Sequence, residues 1–558
     1  MADWQALAKK RRDEVNALIP KSWYLTAPLP TVEEQRDLTA YIKQFLSSRE
    51  LEITETDAVG IVANTTSGRW KAREVVEAFC HRAALAHQMV NCLHAIFFDA
   101  ALEDAQKLDD YYAEHKKPIG PLHGLPVSLK DQFHIKGVET HMGYVGWIGT
   151  FEGKKGTGKE KVYESEMVRE LRNLGAILYC KTSVPQTLMM GETANNIIGF
   201  TYNPKNRNLG SGGSSGGEGA LIGLKGSPLG VGTDMGGSIR IPAAFNGLCG
   251  IKPSSGRFPY EGLANSMDGQ NTVLSVVGPL STSVRSLRLI IKAILSQKPW
   301  LHDPLVAEIP WRDEQEQAVL DIIKSSSGEH LAFGVIRTDG IVQPQPPVLR
   351  AIEIVVETVR RLGHKVLEWK PPSHATASTL CSASWLFDGG ADVHSVFAMT
   401  REPIEAGVIG TYGTKPVMQY TASRIAAVNI AKRKYQKEYM EYWNSTADHT
   451  GTGRPIDAVI CPVAPFPAAL RNKYEYYSYT NWVNLLDYTS AVVPVTNVDK
   501  TIDVVDTNYV PKNKHGDKVY RNYDPEIYDG AHVAVQLVGR RYQEEKILAI
   551  AEIVEDAL

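Results

Sequence analysis

Two serines lie in the most glycine-rich part of the chain, between Gly210 and Gly250. Ser214 is the first serine of the run GGSSGG, and Ser238 ends the run DMGGS. Glycine is favoured where the backbone needs a positive φ or must approach another group closely. A hydroxyl beside consecutive unhindered N–H groups is what a serine nucleophile with an oxyanion site requires. The pattern predicts acyl transfer and not a flexible linker, because the apolar runs ALIGL and IRIPAAF interrupt the glycines.

Two other interpretations of these glycines are open at this point. Gly230 to Gly236 reads GxGxxxG, but it lacks the lysine and the spacing of a phosphate-binding loop. Gly212 to Gly216 satisfies the GxSxG pattern of a nucleophile elbow, which needs a strand that runs directly into the serine. The residues before Ser214 read NPKNRNLG, which is typical of a turn and contains no apolar run. The sequence context therefore favours the acyl-transfer interpretation.

The GGSSGG run followed by GTDMGGSIRIPA closely resembles the amidase signature family, and the resemblance covers about residues 60 to 558. It implies that Ser238 is the nucleophile and that Ser214, held by a cis peptide, relays the nucleophile's proton. The third member of the family's triad is a lysine at the end of a strand. Lys130 matches it, directly after the run GLPVSL. From the strand alone this lysine could point to solvent, but burial would favour its neutral form and let it act as a base.

The same resemblance implies roles for the residues around the two serines. The N–H groups expected to bind the oxyanion belong to Met235, Gly236, Gly237 and Ser238. Asp234 and Arg240 flank the turn with opposite charges, and with Ser215 they are expected to support its shape. None of these three has a step of its own in the reaction.

The acyl pocket is predicted less directly. The segment TSVPQTLMM after Lys181 resembles the family segment that lines this pocket, so Leu188 and Met189 are predicted wall residues. Adjacent methionines alone are as typical of a core as of a pocket. Tyr144 and Trp147 are further candidates, because they are bulky and apolar.

The run NWVNLLDYTSAVVPV is similar to fungal acetamidase-like members of the family. This similarity implies hydrolysis of small primary amides to a carboxylate and ammonia. Hydrolysis of a carbamate such as urethane, or of an aryl or indole acetamide, stays open as an alternative within the family. An amidotransferase subunit acting with a tRNA-binding partner would carry the same three residues and is the alternative of another class.

The pattern along the chain indicates an α/β fold. Ser165 can cap a helix with an apolar face, and the run AILYC that follows is typical of a buried strand. The family implies a single large domain in which a twisted mixed β-sheet is covered by helices on both faces. Residues 1–55 are predicted to form an N-terminal helical arm, and residues 56–558 the catalytic domain.

Composition limits the partners that the chain can bind. With 558 residues and a formal net charge of −3, it has no general attraction for nucleic acid or an anionic membrane. Its six cysteines form no CxxC pair, so we expect no metal and no cofactor. The charged N-terminus does not resemble a signal peptide, which predicts a cytoplasmic protein. The expected partner is a small amide, with a homodimer as the candidate assembly.

Overall fold

The computed structural model describes residues 3–324 and 329–558 of the chain, and its centre is an 11-stranded sheet. Along the sheet the strand order is β1-β3-β2-β6-β8-β7-β12-β13-β11-β9-β10, and β4 and β5 form a separate hairpin. The strands are β1 (Leu93–Ile96), β2 (Pro126–Lys130), β3 (Ile177–Thr182), β4 (Ala194–Asn195), β5 (Gly199–Phe200), β6 (Leu229–Asp234), β7 (Cys249–Lys252), β8 (Val276–Ser281), β9 (Ala332–Val335), β10 (Lys365–Glu368), β11 (Ala458–Pro462), β12 (Thr489–Asn497) and β13 (His532–Gly539).

Helices surround this sheet. They are α1 (Trp4–Ala17), α2 (Leu38–Tyr41), α3 (Ser48–Thr54), α4 (Ala58–Thr66), α5 (Ala72–Val90), α6 (Phe98–His115), α7 (Glu166–Asn173), α8 (Gly216–Gly223), α9 (Arg240–Phe245), α10 (Val284–Ser296), α11 (Asp313–Lys324), α12 (Pro346–Arg361), α13 (His374–Ser384), α14 (Ala391–Thr400), α15 (Ala406–Tyr412), α16 (Ala422–Ser445), α17 (Ala447–Thr450), α18 (Ser478–Leu486), α19 (Lys514–Arg521), α20 (Pro525–Tyr528) and α21 (Glu544–Ala557).

The sheet is mixed, as the sequence predicted. β2 pairs in parallel with β3 and β6, whereas β6 and β8 are antiparallel. Strands β2, β3, β6 and β8 are buried along their whole length. Strands buried on both faces need cover on each side, which explains why the run AILYC predicted β3 without an alternating pattern. The predicted α/β class with a sheet wrapped by helices is confirmed.

The parallel pairing of β2 with β6 positions the functional residues. Ser128 pairs with Gly230 and Leu129 with Val231, so both strands end at the same edge of the sheet. β2 ends at Lys130 and β6 ends at Asp234. The GGSSGG run leads into α8, and the DMGGS turn connects β6 to α9. Two loops from distant sequence positions therefore meet beside the end of β2.

The N-terminal residues pack on the body of the molecule. Ala8 of α1 joins a small apolar cluster with Val145, Ile197 and Ile198. The Arg12 Nε donates to the carbonyl oxygen of Ile197 at 2.8 Å. Within residues 3–324 and 329–558, no helix combines the length and the apolar composition needed to cross a membrane. The six cysteines are buried and unpaired with one another.

Candidate active site

Lys130 lies at the centre of the site. It is the last residue of β2, and its side chain is completely buried. The Nζ atom is 2.7 Å from the Ser214 Oγ and 2.7 Å from the Thr233 Oγ1. The structure thus brings the predicted lysine and the predicted relay serine into direct hydrogen-bond contact, although 84 residues separate them in sequence.

Burial sets the protonation of this lysine. Desolvation lowers the pKa of Lys130 to about 7, while Asp234 and Glu218 act in the opposite direction. Glu218 is itself fully buried, and burial raises its pKa to about 7 against hydrogen bonds from Ser128 and Thr182. Near neutral pH a substantial fraction of Lys130 is therefore an uncharged amine that can accept a proton.

Ser214 and Ser238 line the same cavity. The peptide bond between Gly213 and Ser214 is cis, and Ser214 is almost fully buried. The Ser215 N–H donates to the carbonyl oxygen of Ser238 at 3.1 Å, which ties the GGSSGG loop to the second serine. Among residues 3–324 and 329–558, no hydrogen bond joins the Ser214 and Ser238 hydroxyls directly.

Asp234 fixes the turn that carries Ser238. Its buried carboxylate accepts from the backbone N–H groups of Gly237 at 2.9 Å and Ile239 at 3.2 Å. It also pairs with the Arg240 guanidinium, whose Nε lies 3.0 Å away. Burial alone would raise the pKa of Asp234, but the Arg240 guanidinium holds it well below its usual range. Asp234 and Arg240, which were predicted to support the turn, therefore form a buried ion pair that holds its shape.

The Gly237 N–H, one of the predicted oxyanion donors, is hydrogen-bonded to Asp234 instead. The peptide between Gly236 and Gly237 is held at both ends, because the Thr480 hydroxyl donates to the Gly236 carbonyl at 2.6 Å and the Gly237 N–H donates to Asp234. Gly237 also has φ +127°, and an added Cβ would lie 2.6 Å from the Ile241 Cδ1. This departs from the prediction: Gly237 shapes the turn, and its N–H donates to the Asp234 carboxylate.

We expect Asp234→Asn to destabilise the fold by about 3–5 kcal/mol, because breaking a buried ion pair leaves the Arg240 charge uncompensated. Equilibrium unfolding in urea measures the change. Asp13→Asn is the control, since the Lys9–Asp13 pair is exposed and such pairs contribute little. Equal stability losses in the two variants would contradict this role for Asp234.

The cavity beside the two serines has a volume of about 260 Å³, and Leu188 and Met189 are among the residues that line it. The wall also includes further aromatic and sulfur-containing side chains. They are Met142, Met190, Met235, Phe258, Tyr260, Met267, Trp385, Tyr412, Tyr477 and Tyr542.

Tyr144 and Trp147 do not line this cavity, so their assignment as pocket residues was wrong. Both are buried in an apolar cluster that also contains Leu188, and their rings lie 5.3 Å apart. The Tyr144 hydroxyl lies 2.7 Å from the Ser266 hydroxyl, and Ser266 does line the cavity. The two aromatic residues therefore support the wall from behind.

Asp131, the residue after Lys130, belongs to a buried cluster with His94 and His141. The Asp131 Oδ2 already accepts from the backbone N–H groups of His141 and Met142, both at 3.1 Å. The His94 Nε2 lies 3.2 Å from the His141 Nδ1, and the Lys181 ammonium lies 2.6 Å from the Asp131 Oδ1. Each of these nitrogen and oxygen atoms already has a hydrogen-bond or ion-pair partner. The cluster therefore fits a hydrogen-bonded network better than a set of metal ligands.

Comparison with known proteins agrees with this geometry. The Amidase family model matches residues 74–548, which is most of the chain. This chain belongs to the amidase signature family. An acetamidase of Aspergillus oryzae is 44% identical over 553 residues, covering 99% of this chain and 98% of the relative. An acetamidase of Emericella nidulans is 44% identical over 551 residues, covering 99% of this chain and 97% of the relative.

Solved structures of amide-hydrolysing enzymes also resemble this amidase signature protein. A fatty acid amide hydrolase superposes with a TM-score of 0.90 at 33% identity, covering 99% of this chain and 95% of that one. Membership in this family and likeness to these hydrolases make the chain an amide-hydrolysing enzyme.

Proposed function

We propose that this enzyme hydrolyses small primary amides to a carboxylate and ammonia through an acyl-enzyme at Ser238. The observation that carries the proposal is the buried hydrogen bond between Lys130 and Ser214, beside the turn that holds Ser238. A buried lysine with a pKa near 7 is a suitable base for activating a serine hydroxyl. The choice of small amides rests on the similarity to the two acetamidases.

Acylation moves one proton along the relay. Neutral Lys130 accepts the proton of Ser214 while Ser214 accepts that of Ser238, and the Ser238 oxygen bonds to the amide carbon. The lysine is then an ammonium, and the carbonyl oxygen carries the negative charge. When the C–N bond breaks, the proton returns through Ser214 to the leaving nitrogen, and ammonia departs. Water hydrolyses the ester by the same relay.

The oxyanion is expected to bind the N–H groups of Met235, Gly236 and Ser238, because that of Gly237 is bonded to Asp234. Removing one such donor typically costs on the order of 10² to 10³ in rate. Within the described residues the Ser214 and Ser238 hydroxyls are not hydrogen-bonded to each other, although Ser214 is bonded to Lys130. Such catalytic contacts often tighten only when substrate binds.

A substrate panel tests the proposal. Ammonia release is measured from acetamide, propionamide, hexanamide, benzamide and ethyl carbamate. We expect acetamide or propionamide to have the highest kcat/KM, although the cavity of about 260 Å³ could also admit a larger acyl group. Each methylene changes specificity by only about 1–3 kcal/mol, so the differences should be graded.

Other results of this panel would point to the alternatives. A higher kcat/KM for hexanamide or benzamide than for every short amide would contradict the small-amide assignment while leaving the triad intact. Preference for ethyl carbamate would indicate a urethanase. No ammonia from any free amide would favour an amidotransferase subunit that needs its partner. Ser238→Ala run on each substrate separates enzymatic release from background.

A further inference from the structure

The Thr233 side chain lies between those of Lys130 and Gln132. The Thr233 Oγ1 is 2.7 Å from the Lys130 Nζ and 2.7 Å from the Gln132 Oε1. All three side chains are at least 97% buried. Because bulk water has little access to them, the hydrogen-bond pattern within this row is set by the protein groups themselves.

The orientation of the Gln132 amide follows from its other neighbours. Its Nε2 donates to the Ala264 carbonyl oxygen at 2.8 Å and to the Asn265 Oδ1 at 3.0 Å. A carbonyl oxygen can only accept a hydrogen bond, so the NH₂ end must face Ala264. The Gln132 Oε1 therefore faces Thr233, and it too can only accept.

This orientation fixes the direction of the next two bonds. The Thr233 hydroxyl has one proton, and it donates that proton to the Gln132 Oε1. The Thr233 oxygen must then accept an N–H from Lys130. A neutral lysine amine has two N–H bonds and one lone pair. With one N–H bound to Thr233, the lone pair is free to receive the proton of Ser214.

We propose that Gln132 is a positioning residue for the proton relay, acting through Thr233 to point the lone pair of Lys130 at Ser214. The inference rests on the proposed function, because it assigns Lys130 the role of base. Gln132 and Thr233 also line the cavity, but in this role Gln132 acts on Lys130 and not on the substrate carbonyl or the reacting serines. Its contribution is to prevent the Thr233 hydroxyl from donating to the lysine nitrogen and blocking its lone pair.

The test compares Gln132→Met with the unmodified enzyme on acetamide. We expect kcat to fall about tenfold with KM within about twofold, because the change misdirects the lysine lone pair and leaves Ser238 and the other cavity walls in place. The acid limb of the kcat profile should also move to lower pH. Without its acceptor, the Thr233 hydroxyl can donate to the neutral amine, which stabilises that form and lowers the pKa of Lys130. A purely structural defect would lower activity without this shift.

A double-mutant cycle adds the decisive comparison. If Gln132 acts through Thr233, then Gln132→Met should change kcat less than about twofold once Thr233→Val is present. Gln132→Glu with its carboxyl protonated keeps an acceptor facing Thr233 and a donor facing Ala264, so its kcat should exceed that of Gln132→Met. If the methionine variant does not fold, Thr233→Val replaces it: kcat should then fall about tenfold, and an unchanged kcat would overturn the inference.

The outcomes separate this inference from the proposed function. Equal effects of Gln132→Met with and without Thr233→Val, or an unchanged kcat and pH profile in the single variant, would overturn the role of Gln132 alone. Ammonia release by the unmodified enzyme that persists in Ser238→Ala would overturn the proposed function and this inference with it.

Discussion

Ser238→Ala is expected to lower kcat for acetamide by on the order of 10⁴-fold or more, the scale seen when a serine hydrolase loses its nucleophile. The reason is that Ser238 is partly exposed to the cavity, whereas Ser214 is buried and bonded to Lys130. KM should change little, because the cavity walls stay in place. Ammonia release measures the loss.

Covalent labelling identifies the acylated residue in the same experiment. A sulfonyl fluoride should add its mass to the peptide that contains Ser238, and Ser238→Ala should abolish that adduct. Ser266→Ala is the matched control, since Ser266 also lines the cavity and its loss should leave the label on Ser238. An adduct on Ser214 in the unmodified enzyme would contradict the assignment and favour a nucleophile elbow.

The chemistry of the site could be predicted from sequence because it depends on local patterns. The glycine loops are visible in the sequence because the fold requires glycine there. An added Cβ at Gly213, for example, would lie 2.6 Å from the carbonyl oxygens of Met190 and Glu192. Lys130 was selected because the resemblance to the amidase signature family implies a lysine at the end of a strand, whereas the strand alone left a solvent-pointing side chain open. The pairing of β2 with β6 then brings the lysine to the loops, and that pairing is typical of parallel strands buried in an α/β sheet.

The cavity wall could not be predicted in the same way. Trp385, Tyr412 and Tyr477 reach it from the ends of helices far along the chain, and no local pattern indicates where those helices pack. Tyr144 and Trp147 show the converse error. An apolar aromatic residue near a site looks the same in sequence whether it forms the wall or the layer behind it.

The partners of individual hydrogen bonds could not be predicted from the sequence either. Gly237 was predicted to donate to the oxyanion because it lies among other glycines in the turn. Its peptide plane is set instead by Asp234 on one side and by Thr480, 244 residues from Gly236, on the other. Gln132 was not selected for a similar reason: its importance comes from Ala264 and Thr233, which contact it only in the folded chain.

Lys130→Met should reduce kcat by about 10² to 10⁴, the usual contribution of a general base, and should remove the acid limb of the pH profile. In the unmodified enzyme, activity should rise with pH through about 7, because the neutral amine that accepts the proton predominates above the pKa and the ammonium below it. The residual activity of the methionine variant should lack this rise. Initial rates of ammonia release across the pH range provide the measurement.

Two further variants determine whether the limb belongs to this lysine. Lys130→Arg should fail as Lys130→Met does, because a guanidinium stays protonated at every pH that the enzyme tolerates. Lys136→Met is the control, since Lys136 lies six residues away but is exposed, and it should retain both kcat and the limb. A limb that persists near pH 7 in Lys130→Met would assign the titration to another group. The buried Glu218, whose pKa is also raised to about 7, would then be the first residue to substitute in search of that group.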